Sequence, residues 1–222
     1  QSTADIEAKA IGAAISVAAG SDGTGVSVAA TGTVADNSIT NTIRAAVEDG
    51  DPASADSMIV DVTLSLSATD DSTIDAFGFA GSIAVGVGST GISGSLGIGV
   101  ALNTIDNQVD AHISDIDDVD VDGGVSVSAM SDSEITTQSW AAAISVAAGT
   151  SSSSIGVSGG GAIAQNVILS ATNAYIEDSN LDVGTLAIDG DVEIEAGNVS
   201  AIEAKVLAFA GTVAAGSGTS VG

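Results

Sequence analysis

The stretch EITTQSWAAAISVAAG, Glu134 to Gly149, alternates bulky and small side chains and has three counterparts along the chain. They are DIEAKAIGAAISVAAG (Asp5 to Gly20), TIDAFGFAGSIAVGVG (Thr73 to Gly88) and AIEAKVLAFAGTVAAG (Ala201 to Gly216). Their anchors Ile6, Ile74, Ile135 and Ile202 lie 61 to 68 residues apart, and each unit carries a glycine at the same offset, Gly20, Gly88, Gly149 and Gly216. Further landmarks keep phase: Asn37, Asn103 and Asn166 in the middle of the unit, and Ala68, Ala129 and Ala196 just before the next anchor. A fixed period of this size marks a supersecondary unit that cannot bury its own core and is covered by its neighbour.

Within the unit the period is two, which predicts strands. Phe77, Phe79, Ile83, Val85 and Val87 share one face, whereas Gly78, Ala80, Ser82, Ala84 and Gly86 share the other. The third unit repeats this, with Trp140, Ile144 and Val146 opposite Ala141, Ala143, Ser145 and Ala147. Alanine favours helices, but the frequent glycines and alternating Val and Ile weigh against one here. A glycine-bearing turn such as SDGTG (Ser21 to Gly25) leads into a returning strand with the same alternation, which reads as a β-hairpin. The rest of the unit, as in DIDDVDVDGGVSVSA (Asp115 to Ala129), alternates aliphatic with acidic or Ser residues, as a solenoid coil does with one wet face. The expectation is an all-β, β-solenoid-like repeat array with Gly/Ala-rich β-hairpins, about 61–68 residues per repeat. Its units are 1–69, 70–130, 131–197 and a partial fourth at 198–222, in one continuous array.

Composition narrows function. Three Lys and Arg stand against 29 Asp and Glu, a net charge of −26. Such a surface repels a phosphate backbone, so nucleic acid is not an expected partner. With Cys 0 there is no disulfide framework, thiolate metal site or cysteine nucleophile. No apolar run is long enough for a spanning helix, and no membrane insertion is expected. Lys9, Arg44 and Lys205 are too few and scattered to hold a polysaccharide, so no enzyme and no catalytic residue are expected.

Three residue sets are candidate sites. The small-residue face (Gly78, Ala80, Ser82, Ala84, Gly86, Ala141, Ala143, Ser145, Ala147) would allow sheets to approach more closely than the usual ~10 Å. It packs either within the chain or against copies of itself. Asn37, Asn103 and Asn166 share one phase and can form an asparagine ladder along the stack. Asp115, Asp117, Asp118, Asp120 and Asp122 crowd one segment; D-x-D-x-D-G at Asp118 to Gly123 opens like a Ca²⁺ loop but has Ala129 where a bidentate Glu belongs. No cofactor is required by this reading, with Ca²⁺ as an optional ion. Asp49/Asp51, Asp70/Asp71 and Asp189/Asp191 read as turn residues, and His112 as an outward strand position without a transition-metal partner.

The anchored strand, the run GVSGGGAIAQN (Gly156 to Asn166), AYIEDS (Ala174 to Ser179) and GDVEIEA (Gly190 to Ala196) resemble giant bacterial surface β-strand-repeat proteins, nearest the leukotoxin-type filamentous adhesins (LktA family). The third unit carries the resemblance best, through Ile144, Gly149, Gly159 to Gly161, Asn166, Tyr175, Ile176 and Asp178. It implies secretion, a long parent polypeptide and a structural or adhesive role in a cell-surface filament. The partners would then be copies of itself or adjacent repeats. The alternative expectation is a Ca²⁺-rigidified stalk or binding module of a large adhesin. The first unit departs from the pattern in a longer acidic insertion, Glu48 to Asp61.

Overall fold

The computed structural model describes residues 1–49, 57–150, 153–184 and 190–222; Asp51, Asp189 and half of the acidic insertion (residues 50–56) fall outside them. All regular elements among the described residues are strands: β1 (Ser2–Ala19), β2 (Thr24–Glu48), β3 (Ser57–Val60), β4 (Leu64–Gly88), β5 (Thr90–Ser114), β6 (Asp118–Val121), β7 (Val125–Gly149), β8 (Ser154–Glu177), β9 (Leu181–Val183), β10 (Val192–Gly216) and β11 (Ser220–Val221). The fold is a β-solenoid. Each coil runs through a long strand, a second long strand and a short third one, and the coils stack as three sheets ordered β1-β4-β7-β10, β2-β5-β8-β11 and β3-β6-β9.

Register follows the repeat. Ile6, Ile74, Ile135 and Ile202 stand beside one another across four strands, and Asn37, Asn103 and Asn166 across three. A shift of one residue would turn every inward side chain outward, so the alternation itself fixes the register. The unit divisions at 69/70, 130/131 and 197/198 fall inside β4, β7 and β10, upstream of the anchors.

One expected feature differs. The two long strands of a repeat form no hairpin: every pairing is parallel and joins equivalent strands of successive coils. The glycine turn instead folds the chain into an arch, which places β1 and β2, or β4 and β5, in opposed sheets. The reason lies in the small face. Two faces of Gly, Ala and Ser gain most contact by meeting each other, while the equivalent strand of the next coil supplies the edge hydrogen bonds.

The interior accordingly changes character from one end of the coil to the other. At the wide end, where the third sheet closes a triangle, Leu66, Val109, Ile113, Ile116, Val119, Val121, Val125 and Val127 form one apolar core. Further in, Ile39, Ile74, Ile105 and Ile135 make a second, smaller core. Toward the arch only small residues remain, and the sheets close up. Ala80, Ala84, Ala143, Ser145 and Ala147 are fully buried between them. A Cβ placed on Gly97 would lie 2.8 Å from the carbonyl oxygen of Ala142, and one on Gly99 the same distance from that of Trp140. The coil therefore tapers to a thin two-layer blade.

This corrects the reading of the small face as a contact between chains. Gly78, Ala80, Ser82, Ala84, Gly86, Ala141, Ala143, Ser145 and Ala147 all point inward and are buried within one chain. Self-association cannot use them, because the opposite sheet of the same coil already occupies that space.

Candidate functional site

The asparagine positions form the ladder that their phase predicts. The Asn37 amide donates to Asn103 Oδ1 at 2.8 Å, and the Asn103 amide donates to Asn166 Oδ1 at 2.8 Å. Thr137, from the opposed sheet, accepts from the Asn103 amide at 2.7 Å and donates to Asn166 at 2.8 Å. The rung bridges coils and layers together. Amide stacks of this kind repeat along the axis at no change in geometry, so they reward correct register coil after coil.

A second buried polar rung was not evident in the sequence. Asp70 is 1% exposed and lies within β4, not at a turn as its pairing with Asp71 suggested. The Asn107 amide donates to its carboxylate at 2.5 Å, Asn41 donates at 3.1 Å and Ser72 at 2.9 Å. The signal was available: Asp70 and Ser72 share parity with the inward Ile74, while Asp71 falls on the wet face. A buried carboxylate is tolerated only when its oxygens are filled by donors. Asp70→Leu leaves both Asn41 and Asn107 without this acceptor and is expected to lower stability by about 2–3 kcal/mol, measured by urea unfolding.

From Asp118 to Val121 the acidic segment is an extended strand. Asp118 and Asp120 project outward from β6, Val119 and Val121 point into the core, and the Asp122 amide donates to Val60 O at 3.0 Å. Asp115 is a corner residue in the left-handed region, φ 60°, repeated one coil on by Asp178 at φ 47°; Asp is among the few non-glycine residues that adopt it readily. Asp117 is exposed beside it. Among the described residues no three acidic or histidine side chains converge as metal ligands. Stacking instead sets like charges side by side, Asp120 beside Asp182 and Asp71 beside Asp132. Neighbouring strands lie about 4.7–4.9 Å apart, so these pairs repel. Raising ionic strength from about 0.01 M to about 1 M shortens the screening length from ~30 to ~3 Å. The melting temperature is expected to rise over that range, and calorimetry would read it.

His112 does lie on the outer face of β5, as its parity predicts, but it is only 2% exposed. Tyr175 of the next coil stacks on it at 4.7 Å with the rings nearly parallel, Asp110 contacts Nδ1, and Nε2 lies 2.7 Å from Glu48, which also pairs with Arg44. Loss of hydration, then the nearby Asp110 and Glu177, push the Tyr175 phenol above its ordinary value, with Arg44 opposing. The folded state thus holds the phenolic proton more tightly than the unfolded chain. Stability from this source is intact below the ordinary tyrosine range and declines as pH rises through it. Since Tyr175 is the only tyrosine, phenolate absorbance should appear at higher pH in the native protein than in urea.

The surface of the blade inverts the usual alternation. On the blade the bulky side chains face outward on both layers. Outward positions of β1 turn apolar at Ile11 and stay so through Ala13, Ile15, Val17 and Ala19; those of β2 do so from Val26 through Val28, Ala30, Gly32 and Val34. Register carries both bands across the stack, as in Val17, Val85, Val146 and Val213 on one layer and Val34, Val100 and Ile163 on the other. Ile15 is 73% exposed and Val28 is 70% exposed. Below the bands the outward residues become Asp5, Glu7, Asp71, Asp75 and Glu134 on one layer and Asp36 and Asp106 on the other. The sequence showed the bulky face plainly; that it faces solvent follows from the small face being taken up inside.

The chain matches no protein-family model, no curated protein and no solved structure. No helix among the described residues is long and apolar enough to cross a membrane, which says nothing of strands.

Proposed function

We propose that this chain is a structural segment of a secreted bacterial surface filament, of the kind its resemblance to leukotoxin-type adhesins implies, and that coil stacking rather than catalysis is its activity. One observation carries the proposal: every coil presents to the next the surface it receives from the previous one. The Ile6–Ile74–Ile135–Ile202 row and the Asn37–Asn103–Asn166 row advance by one strand without change of side-chain type. In such arrays stability is close to a sum of nearest-neighbour interfaces, so length is added at no cost in design. At the two ends of the stack β1 and β10 each have one strand neighbour in this chain. Ile202 and Val206 are about half exposed there, where their counterparts in inner coils are covered. Such edges pair with further strands unless they are blocked.

The acidic surface fits this role, since like charge keeps neighbouring rods apart. Electron micrographs at rising concentration are expected to show rods that lengthen along the stacking axis. Ile202→Lys puts a charge on the exposed end of the isoleucine row and should stop that growth while leaving the circular dichroism unchanged. A wild-type mass that stays at one chain across the concentration range would overturn the reading.

A further inference from the structure

We propose that the blade is a lipid-inserting edge, whose two outer faces take the hydrocarbon core of a bilayer as their partner. The first reason is dimension. At about 3.3 Å per residue the apolar band from Ile11 to Ala19 spans about 30 Å. The band on the opposed layer, Val26 to Val34, has the same height and lies back to back with it. A bilayer hydrocarbon core is about 30 Å thick.

The second reason is the composition of the boundary. Of the five aromatic residues, Phe77, Phe79 and Trp140 sit on the outer face where the apolar band meets the acidic collar, and Phe209 lies one position further in. Phe77 packs edge-on against Trp140, with ring centroids 5.7 Å apart. Lys9 stands beside Phe77, and Lys205 occupies the same row two strands on; these are the only lysines of the chain. Aromatic rings and long cationic stems collect at the headgroup level of membrane proteins, where one end is apolar and the other wet. Beyond the band, the arch is short and polar, as at Ser21 and Asp22.

The third reason separates lipid from a second copy of this chain. Both faces are apolar at one height. A copy docked on one face leaves the other in water, and covering both by copies requires an open lateral polymer of chains carrying −26 each. Lipid covers both faces at once and brings no opposing charge. Backbone groups in hydrocarbon must be paired; β4, β5 and β7 are paired on both edges. The open edges of β1 and β10, and of β2 and most of β8 on the other layer, become paired when coils continue the stack, so the inference rests on the stacking reading above. It departs from the expectation, drawn from the lack of a spanning helix, that the chain stays out of membranes. A strand solenoid satisfies its backbone along the stack and needs no helix to do so.

Trp140 is the only tryptophan, and its position at the band edge makes it the probe. The chain is mixed with phosphatidylcholine vesicles whose acyl chains carry bromine either near the headgroup or near the methyl end. It is expected to float with the vesicles, with Trp140 emission quenched more by the shallow bromines than by the deep ones. Ile83→Lys with Val28→Lys changes two exposed residues on opposite faces. The pair should cut partitioning about tenfold or more at an unchanged melting temperature, while Thr3→Lys, outside the band, leaves partitioning as it was. Folded chain that neither floats nor is quenched overturns the inference, as does equal partitioning of the double variant. Rods without flotation overturn this inference alone; a chain that forms no rods, in water or on vesicles, overturns the stacking reading and this inference with it. Blue-shifted Trp140 emission that depends on protein concentration and ignores lipid would assign the faces to copies of the chain.

Discussion

Gly97→Val is expected to destabilise the chain by about 3 kcal/mol or more and to open the blade to proteolysis, while Gly94→Val, three residues away, is expected to leave stability within about 1 kcal/mol. The two glycines lie on opposite faces of β5. A Cβ on Gly97 would meet the backbone oxygen of Ala142 at 2.8 Å and that of Ala80 at 3.1 Å. Neither is the far end of a flexible side chain; each belongs to a strand held on both edges. The sheets must separate, and separation costs the contacts of every small residue along the blade. Gly94 faces outward, with nothing within 4 Å of an added Cβ, and valine suits a strand better than glycine does. Urea melts and limited proteolysis of the two variants read the difference directly. Equal tolerance of both changes would show that the sheets do not meet as described.

Asn103→Ala should cost about 2–4 kcal/mol, the second large effect. Asn103 is 1% exposed and holds both directions of the ladder, accepting from Asn37 and donating to Asn166 and Thr137. Alanine deletes the middle rung, and the half-buried Asn37 amide and the fully buried Thr137 hydroxyl lose that partner. Asn198→Ala is the control. Asn198 is exposed on the end strand, bonded to Ser170 O at 3.2 Å, and its loss should stay within about 0.5 kcal/mol. Hydrogen exchange adds a second check, because loss of the rung should raise exchange in β2, β5, β7 and β8 together.

The legibility of this fold was uneven for physical reasons. Strand parity could be read almost residue by residue, because Ile83 against Ala84, or Ile144 against Ser145, differ so much in size that a period of two stands out. The asparagine ladder was legible for the same reason: three residues at one phase in a stack with one register must be neighbours. Asp70 was misread because an adjacent pair of acids resembles a turn, and only its parity with Ile74 betrays it. Asp118, Asp120 and Asp122 suggested an ion loop, yet the intervening valines belong to a core and hold the segment extended. The hairpin expectation failed at the glycine turn, since a tight hairpin and an arch use the same residues there. What distinguishes them is whether a strand finds its hydrogen bonds beside it in sequence or one coil away.

By itself the sequence settled the repeat, the strands and the two-faced character of each strand, because these depend only on side-chain size and spacing along the chain. It left open which face is inside. Ordinary experience puts bulky aliphatic residues in the core, and at the wide end, around Ile113 and Val127, they are there. At the blade the order reverses: two backbones can approach to within a glycine's width only if the small faces meet, and Ile15, Ile83 and Val28 are then forced outward. That choice belongs to the pair of opposed sheets, which exists only after the chain has folded through the arch and stacked upon itself.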